Sequence, residues 1–380
     1  MDQRPVLLVT NDLGPRAGGI ESFILGLIAE LDGKKMVIYT SAQVGSEKFD
    51  HGLTEKFGVV VYRDKSKVLL PTPRVNRAVV RVMRKHSSEI IWYGAAAPLG
   101  WMSGLLRRNG ATRQVSLTHG HEVWWSKLWP FSWIMRAITR NLDVLTYLGK
   151  FTHDAMKPIV GKRAQAIQIA PGISVDHFLP GPKDHELLTT LGLDGKKVII
   201  SVGRLVHRKG QDRLIEAMPT ILRSVPETVL VLVGEGPHKA KLETLVRKHG
   251  LHESVRFIGR LQYAELPRYL RLGDIFAMPS RSRFFGLEVE GLGIVYLEAS
   301  STGIPVLGGA SGGAPDAVLD GETGYVVDGT NVAAIAHAAI AMLSDAALRE
   351  RMGRRGREWA LQTWSWKIWG ERFNEILFRK

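Results

Sequence analysis

The chain has 380 residues, 45% of them hydrophobic, and no cysteine: enough length for more than one core, with disulfides and thiolate metal sites excluded. A formal net charge of +14 points to an anionic partner, whether membrane surface, nucleic acid or acidic substrate. The excess is uneven, since residues 1–180 carry 24 Lys and Arg against 14 Asp and Glu, and residues 181–380 carry 27 against 23.

Met1-Asp2-Gln3-Arg4 runs straight into an apolar strand with no signal-peptide pattern before it. A reducing cytoplasm is the expected setting. Strand-like runs then follow at 6–10, 36–40, 59–62, 89–93, 114–118, 144–148 and 166–169, and again at 198–203, 229–234, 255–258, 275–278, 306–307 and 325–327. Many are β-branched without clean alternation, as parallel strands covered on both faces are. Helical stretches alternate with them, so the fold class is α/β with two doubly wound domains. A Pro- and Gly-rich stretch from Ala170 to Pro182 marks the boundary. The expected division is 1–172, 173–364 and a terminal amphipathic helix within 365–380. The uncharged run 90–106 is broken by Gly94, Pro98, Gly100 and Gly104. It falls short of the ~20 apolar residues of a membrane span.

Two stretches of the first half suit a membrane surface. In 73–85, Arg74, Arg77, Arg81, Arg84 and Lys85 recur at helical spacing, opposite Val75, Val79, Val82 and Met83. That is the pattern of an interfacial helix, and equally of a surface helix whose apolar face lies in the core. Residues 124–133 hold five aromatics, Trp124, Trp125, Trp129, Phe131 and Trp133, which fit a membrane interface or a core.

The second half carries two motifs with chemistry. The run Lys197-Val198-Ile199-Ile200-Ser201-Val202-Gly203 reads as a buried strand and opens into Arg204-Leu205-Val206-His207-Arg208-Lys209-Gly210. Arg204 and Lys209 thus leave the carboxyl end of a strand, where open α/β sheets bind ligands, and both cations suit a diphosphate. Further on, Glu290 and Glu298 bracket Gly291, Gly293 and Ile294. The first half of that segment is a glycine-broken loop and the second half starts a helix. Carboxylates accept sugar hydroxyls, and amides at a helix start hold an anion. A nucleotide-sugar matches both.

Together these motifs resemble glycosyltransferase family 4, whose retaining enzymes have the GT-B fold. The resemblance implies two Rossmann-like domains with the active site in the interdomain cleft, and a terminal helix that crosses back to the first domain. Asn11-Asp12-Leu13-Gly14-Pro15-Arg16-Ala17-Gly18-Gly19 resembles the glycine loop that touches the donor diphosphate. Gly234-Glu235-Gly236-Pro237 resembles the next strand-end loop of the family, and the stretch from Val255 to Leu261 resembles the strand whose backbone meets the base. Thr118-His119-Gly120-His121-Glu122-Val123, Phe276-Ala277-Met278-Pro279-Ser280-Arg281 and the run from Val289 to Ala299 are similar to the branch that uses GDP-mannose on phosphatidylinositol monomannosides.

What the resemblance implies for residues is specific. Gly18, Gly19, Arg204, Lys209, Arg260, Leu261, Glu290, Gly293, Ile294 and Glu298 would hold the donor, with Glu298 on the ribose and Glu290 on the transferred sugar. His119 would bond the sugar's primary hydroxyl, with His121 as the rival. Asp12 and Arg16 would lie near the acceptor. Configuration would be retained. One departure stands out: Phe284-Phe285-Gly286 replaces an expected run of glycines, and the two rings would narrow the site or form an acceptor wall. No Asp-x-Asp pair occurs, so a metal clamp is not expected and Arg204 and Lys209 would neutralise the leaving diphosphate. Other nucleotide-sugars and acceptors, a GT-B-shaped epimerase and a nucleic-acid-binding protein are the competing readings. No compact basic-aromatic RNA motif supports the last of these.

Overall fold

All five residues of the run Val6–Thr10 are buried, so this strand has no solvent face and must be covered on both sides. The computed structural model describes residues 4–15, 18–31, 35–120 and 122–379. The chain forms two compact units, one of residues 1–172 with 366–380 and one of residues 173–365.

The first unit is built on β1 (Val6–Thr10), β2 (Met36–Thr40), β3 (Val60–Arg63), β4 (Ile90–Tyr93), β5 (Arg113–Ser116), β6 (Val144–Tyr147) and β7 (Gln165–Gln168). They form one parallel sheet in the order β3-β2-β1-β4-β5-β6-β7. Sequence order reverses between β1 and β4, which opens a crevice at their carboxyl ends. Helix Pro73–Lys85 seals one face by placing Val75, Val79, Val82 and Met83 in the core beside Leu7, Val9 and Ile91. Helix Trp366–Phe378 closes the unit: Trp366 lies where a side chain at Gly26 would be, Phe373 packs on Trp92 at 4.8 Å, and Arg113 Nε donates to the Ile376 carbonyl at 2.9 Å.

The second unit is built on β8 (Lys197–Val202), β9 (Thr228–Val233), β10 (Val255–Gly259), β11 (Ile275–Met278), β12 (Val306–Gly309) and β13 (Gly324–Val327). The sheet is parallel, in the order β10-β9-β8-β11-β12-β13. Its reversal lies between β8 and β11. Helices Gln211–Ser224 and Val332–Ser344 cover one face with Leu214, Ile215, Met218, Ile335 and Ala339.

Among the described residues no single helix is long and apolar enough to cross a membrane. The bent pair Val332–Ser344 and Ala346–Thr363 passes by length and composition only, and the first of these two contributes its apolar residues to the core. Strand ends differ from the sequence reading by a residue or two. The run expected at 114–118 is β5, Arg113–Ser116, so His119 lies in the loop beyond the strand and not at its end.

Helix Ile294–Ser301 is held against helix Ala346–Thr363 by a close crossing. A Cβ on Gly353 would lie 2.0 Å from the Gly303 carbonyl oxygen, a contact backbone cannot yield cheaply. Gly353→Ala is therefore expected to destabilise the protein by about 2 kcal/mol, measured as a drop in the denaturant midpoint. An unchanged midpoint would show that this crossing does not fix the helix.

Candidate functional site

In the second unit, the loops after β8 and β11 leave the sheet at the point where strand order reverses, the usual ligand crevice of open α/β sheets. Gly210 lets them approach. Its φ is +77°, and a Cβ there would stand 2.0 Å from the Pro279 carbonyl oxygen. Just before it, the single 3-10 turn His207–Lys209 presents two cations to one carboxylate. Lys209 Nζ lies 2.9 Å from Glu290 Oε2, and Arg208 Nη1 donates to the same oxygen. Lys209 and Glu290 are buried, at 8% and 7% exposure. Burial pushes the Glu290 carboxyl up, but the charges of Lys209 and Arg208 outweigh it and hold Glu290 below its ordinary value. Arg208 Nε also reaches Glu288 at 3.9 Å.

The main chain of Glu290 is pinned from the loop after β12. Its N–H donates to Ser311 Oγ at 3.3 Å, and its carbonyl accepts from the Gly313 N–H at 2.8 Å. Helix Ile294–Ser301 starts after Gly293. Tyr296 OH donates to the Met278 carbonyl at 2.6 Å and lies 2.9 Å from Ser280 Oγ, which locks the helix to β11. Glu298 follows one turn in, buried, and burial pushes its pKa up to about 7 against a weaker pull from Lys209. Arg204 is exposed on the loop after β8, and Arg260 is exposed and Leu261 half-buried after β10.

Residues not singled out from sequence hold this loop in place. Arg281, 5% exposed, makes a bidentate fork onto Asp212 at 2.8 and 2.7 Å, while its Nη2 lies 2.9 Å from His207 Nδ1 and its own N–H donates to the Arg208 carbonyl at 2.8 Å. A buried pair of this kind fixes geometry more than it adds stability. Burial and the neighbouring Arg281 hold His207 below its usual pKa, so it is neutral at pH 7. The only trace in the sequence is an Arg directly after Met278-Pro279-Ser280 at a strand end.

In the first unit the loops at the carboxyl ends of β1, β2 and β3 gather a second set of residues, and those after β4 and β5 a third. Asp12 donates its N–H to Thr10 Oγ1 at 2.9 Å and lines a cavity of about 630 Å³ with Asn11, Ser41, Gln43 and Lys67. Gly18 caps helix Gly19–Glu30. His119 Nε2 donates to the Gly94 carbonyl in the loop after β4 at 2.5 Å, its N–H donates to Glu122 Oε2 at 2.9 Å, and its ring meets Phe23 edge-on at 5.7 Å. Arg16 and His121 lie outside the described residues.

The interfacial reading of helix Pro73–Lys85 needs correction. Its apolar face is consumed by the core, so no hydrophobic face remains to enter a bilayer. Arg74 turns back onto Asp64 at 3.0 and 2.6 Å, and Arg84 donates to Asn109 at 2.8 Å. Arg77, Arg81, Arg84 and Lys85 are exposed. The three arginines, with Asn76, Val80 and Leu105, line a groove of about 700 Å³. The aromatic stretch divides. Trp124, Trp125 and Phe131 pack on one another at 4.9–5.2 Å, whereas Trp129 and Trp133 are 85% and 59% exposed.

The Phe284-Phe285 departure does not narrow the crevice. Both residues have left-handed backbone, φ +48° and +53°, at roughly 1–2 kcal/mol each. Both rings are turned out to solvent.

Glu298 makes the site dependent on pH. Its pKa is about 7 when folded, against 4.5 ordinarily, so the contribution of its neutral form is full below pH 4.5 and is lost as pH rises through 7. Glu298→Gln is expected to match the parent near pH 4.5 and exceed it by up to about 3 kcal/mol at pH 8, read by denaturant unfolding. Parallel pH profiles for the two proteins would show that Glu298 is not strained.

Comparison with known proteins identifies the family. The family described as Glycosyl transferases group 1 matches residues 188–359. A GDP-mannose-dependent alpha-(1-6)-phosphatidylinositol monomannoside mannosyltransferase from Mycolicibacterium smegmatis is 42% identical over 374 residues, 98% of each chain. A GDP-mannose-dependent monoacylated alpha-(1-6)-phosphatidylinositol monomannoside mannosyltransferase from Corynebacterium glutamicum is 40% identical over 377 residues, again 98% of each. Among solved structures, sucrose-phosphate synthase from Thermosynechococcus elongatus superposes with a TM-score of 0.78 at 22% identity, covering 98% of both chains. Anabaena HepE in complex with UDP reaches 0.80 at 18% identity, covering 98% of this chain and 99% of the other. Likeness in fold, and identity carried along nearly the whole length, place this chain among the group 1 glycosyltransferases with the GT-B fold.

Proposed function

We propose that this glycosyltransferase moves mannose from GDP-mannose to a phosphatidylinositol monomannoside glycolipid, with retention of configuration and without a metal ion. The relatives that span the whole chain carry that donor and acceptor in their names. The observation that carries the reading is the cluster of buried Lys209 and Glu290 with half-buried Arg208 at the strand-order reversal of the second unit. It offers one carboxylate for sugar hydroxyls and a cation beside it for a phosphate.

In the reaction, the bond from sugar C1 to the diphosphate breaks. The acceptor oxygen bonds C1 on the same face, and its proton passes to the departing phosphate oxygen. Negative charge then grows on the diphosphate, where Arg204 and Lys209 meet it. An ammonium has three N–H donors, so Lys209 can keep Glu290 and still donate to phosphate. Amides near Gly293 and Ile294 add fixed dipoles. Glu290 orients the transferred mannose, Glu298 the ribose, and the chain at Arg260 and Leu261 the base. His119, set by Gly94 and Glu122, offers its ring to a sugar hydroxyl. The cavity lined by Asp12 and Lys67 offers polar groups suited to a polyol.

The cationic row of Arg77, Arg81, Arg84 and Lys85 would meet an anionic leaflet through charge alone. Each cation is worth about 1 kcal/mol there. The exposed Trp129 and Trp133 would add interfacial aromatics. This makes the enzyme peripheral on the inner face of the cell membrane.

Incubation with GDP-mannose and phosphatidylinositol monomannoside should release GDP and give an α-linked mannoside, with the rate unchanged by excess EDTA. Turnover of a UDP-sugar alone, or abolition by EDTA, would overturn the donor and metal assignments respectively. Lys209→Ala should lower kcat by roughly 10²–10³ while thermal unfolding shifts by only a few degrees. Unchanged kcat would remove Lys209 from the phosphate.

A further inference from the structure

The segment between Arg281 and Glu290 is a small hairpin with an unusual tip. Arg283 and Glu288 close it with two backbone hydrogen bonds, Arg283 N–H to the Glu288 carbonyl at 2.9 Å and the reverse at 3.2 Å, and with a side-chain ion pair at 2.9 Å. The Arg283 guanidinium lies 4.6 Å from the centre of the Phe284 ring. Phe284, Phe285 and Gly286 then take φ of +48°, +53° and +85° in succession. Bulky residues seldom adopt that backbone. Core packing does not compensate for it, because Phe284, Phe285 and Leu287 are 61%, 110% and 47% exposed. Strain of this kind without a packing return marks a site where the exposed side chains act on something outside the fold.

The root of the hairpin identifies the neighbourhood. Glu288 lies 3.9 Å from Arg208, and Arg208 also holds Glu290. On the function proposed above, Glu290 holds the transferred sugar, and the acceptor must lie beside that sugar when the new bond forms. The tip therefore belongs to the acceptor side. Its chemistry is pure hydrocarbon. Phenylalanine and leucine lack the polar edge that Tyr and Trp bring to a partly polar ligand.

We propose that Phe284, Phe285 and Leu287 form a wall that grips the acyl chain of the glycolipid acceptor and so sets the preference of the enzyme for an acylated substrate. This rests on the glycolipid-acceptor reading above. It assigns a specificity role to residues outside the donor site.

The test is the double variant Phe284→Gly/Phe285→Gly. Glycine takes positive φ without strain, so this variant folds, with a thermal midpoint equal to or above that of the parent. Parent and variant are compared on phosphatidylinositol monomannoside and on the same headgroup with its acyl chains removed. The ratio of kcat/KM for the acylated over the deacylated acceptor should fall about tenfold or more in the variant. An unchanged ratio overturns the wall. So does a loss of transfer matched by equal loss of binding to acceptor-free vesicles of phosphatidylglycerol and phosphatidylcholine, because the tip is then a bilayer anchor. A parent enzyme that glycosylates neither acceptor overturns the proposed function itself, and the wall with it.

Discussion

Two cations closing on one buried carboxylate set the terms for the second unit. Burial pushes the Glu290 carboxyl up at 7% exposure, and the charges of Lys209 and Arg208 more than reverse it; the Lys209 ammonium, on a residue 8% exposed, lies 2.9 Å from that carboxylate. The attraction between them offsets part of the cost of burying each charge. The loops that carry them come from opposite sides of the strand-order reversal and are 82 residues apart in sequence. Their meeting therefore depends on the sheet order, on the close approach at Gly210, and on the Asp212–Arg281 pair that braces the β8 loop. A ligand that offers hydroxyls to Glu290 and phosphate to Lys209 would enter a site already held in place, with one positive charge in excess of the carboxylate.

Glu298 shows the opposite strategy. It is buried beside no cation close enough to offset the burial, and its pKa rises to about 7. Near neutral pH it is divided between acid and carboxylate, and the fold tolerates the strain because helix Ile294–Ser301 is anchored by Tyr296 and by the Gly353 crossing. The two glutamates sit eight positions apart and differ in electrostatic state because Glu290 pairs directly with Lys209 and Arg208, whereas Glu298 feels only a weaker pull from Lys209. A buried carboxylate held in this way lowers stability as pH rises.

Much of this was legible in the chain itself, because buried parallel strands are β-branched runs and the alternation of strands with helices fixes a doubly wound class. Strand ends were less clear where the run continues past the last ladder bond, as at Leu117 and Thr118. Arg208 was missed because one more cation in a basic loop looks solvated, and nothing local reveals a partner 82 residues away. Ser311 and the Asp212–Arg281 pair were missed for the same reason: long-range pairs leave no periodic trace. Helix Pro73–Lys85 shows another limit. Its amphipathic pattern says that one face is apolar but not what covers that face, and the first sheet covers it.

The helix Trp366–Phe378 belongs to the first unit, although every residue of the second unit precedes it in the chain. The second unit is thus nested inside the first in sequence. During synthesis the later-encoded sheet can complete its core before the earlier one does, since Trp92 and Gly26 wait for Phe373 and Trp366. Loss of the last dozen residues would therefore uncover the sheet made at the beginning of the chain and leave its neighbour in sequence whole.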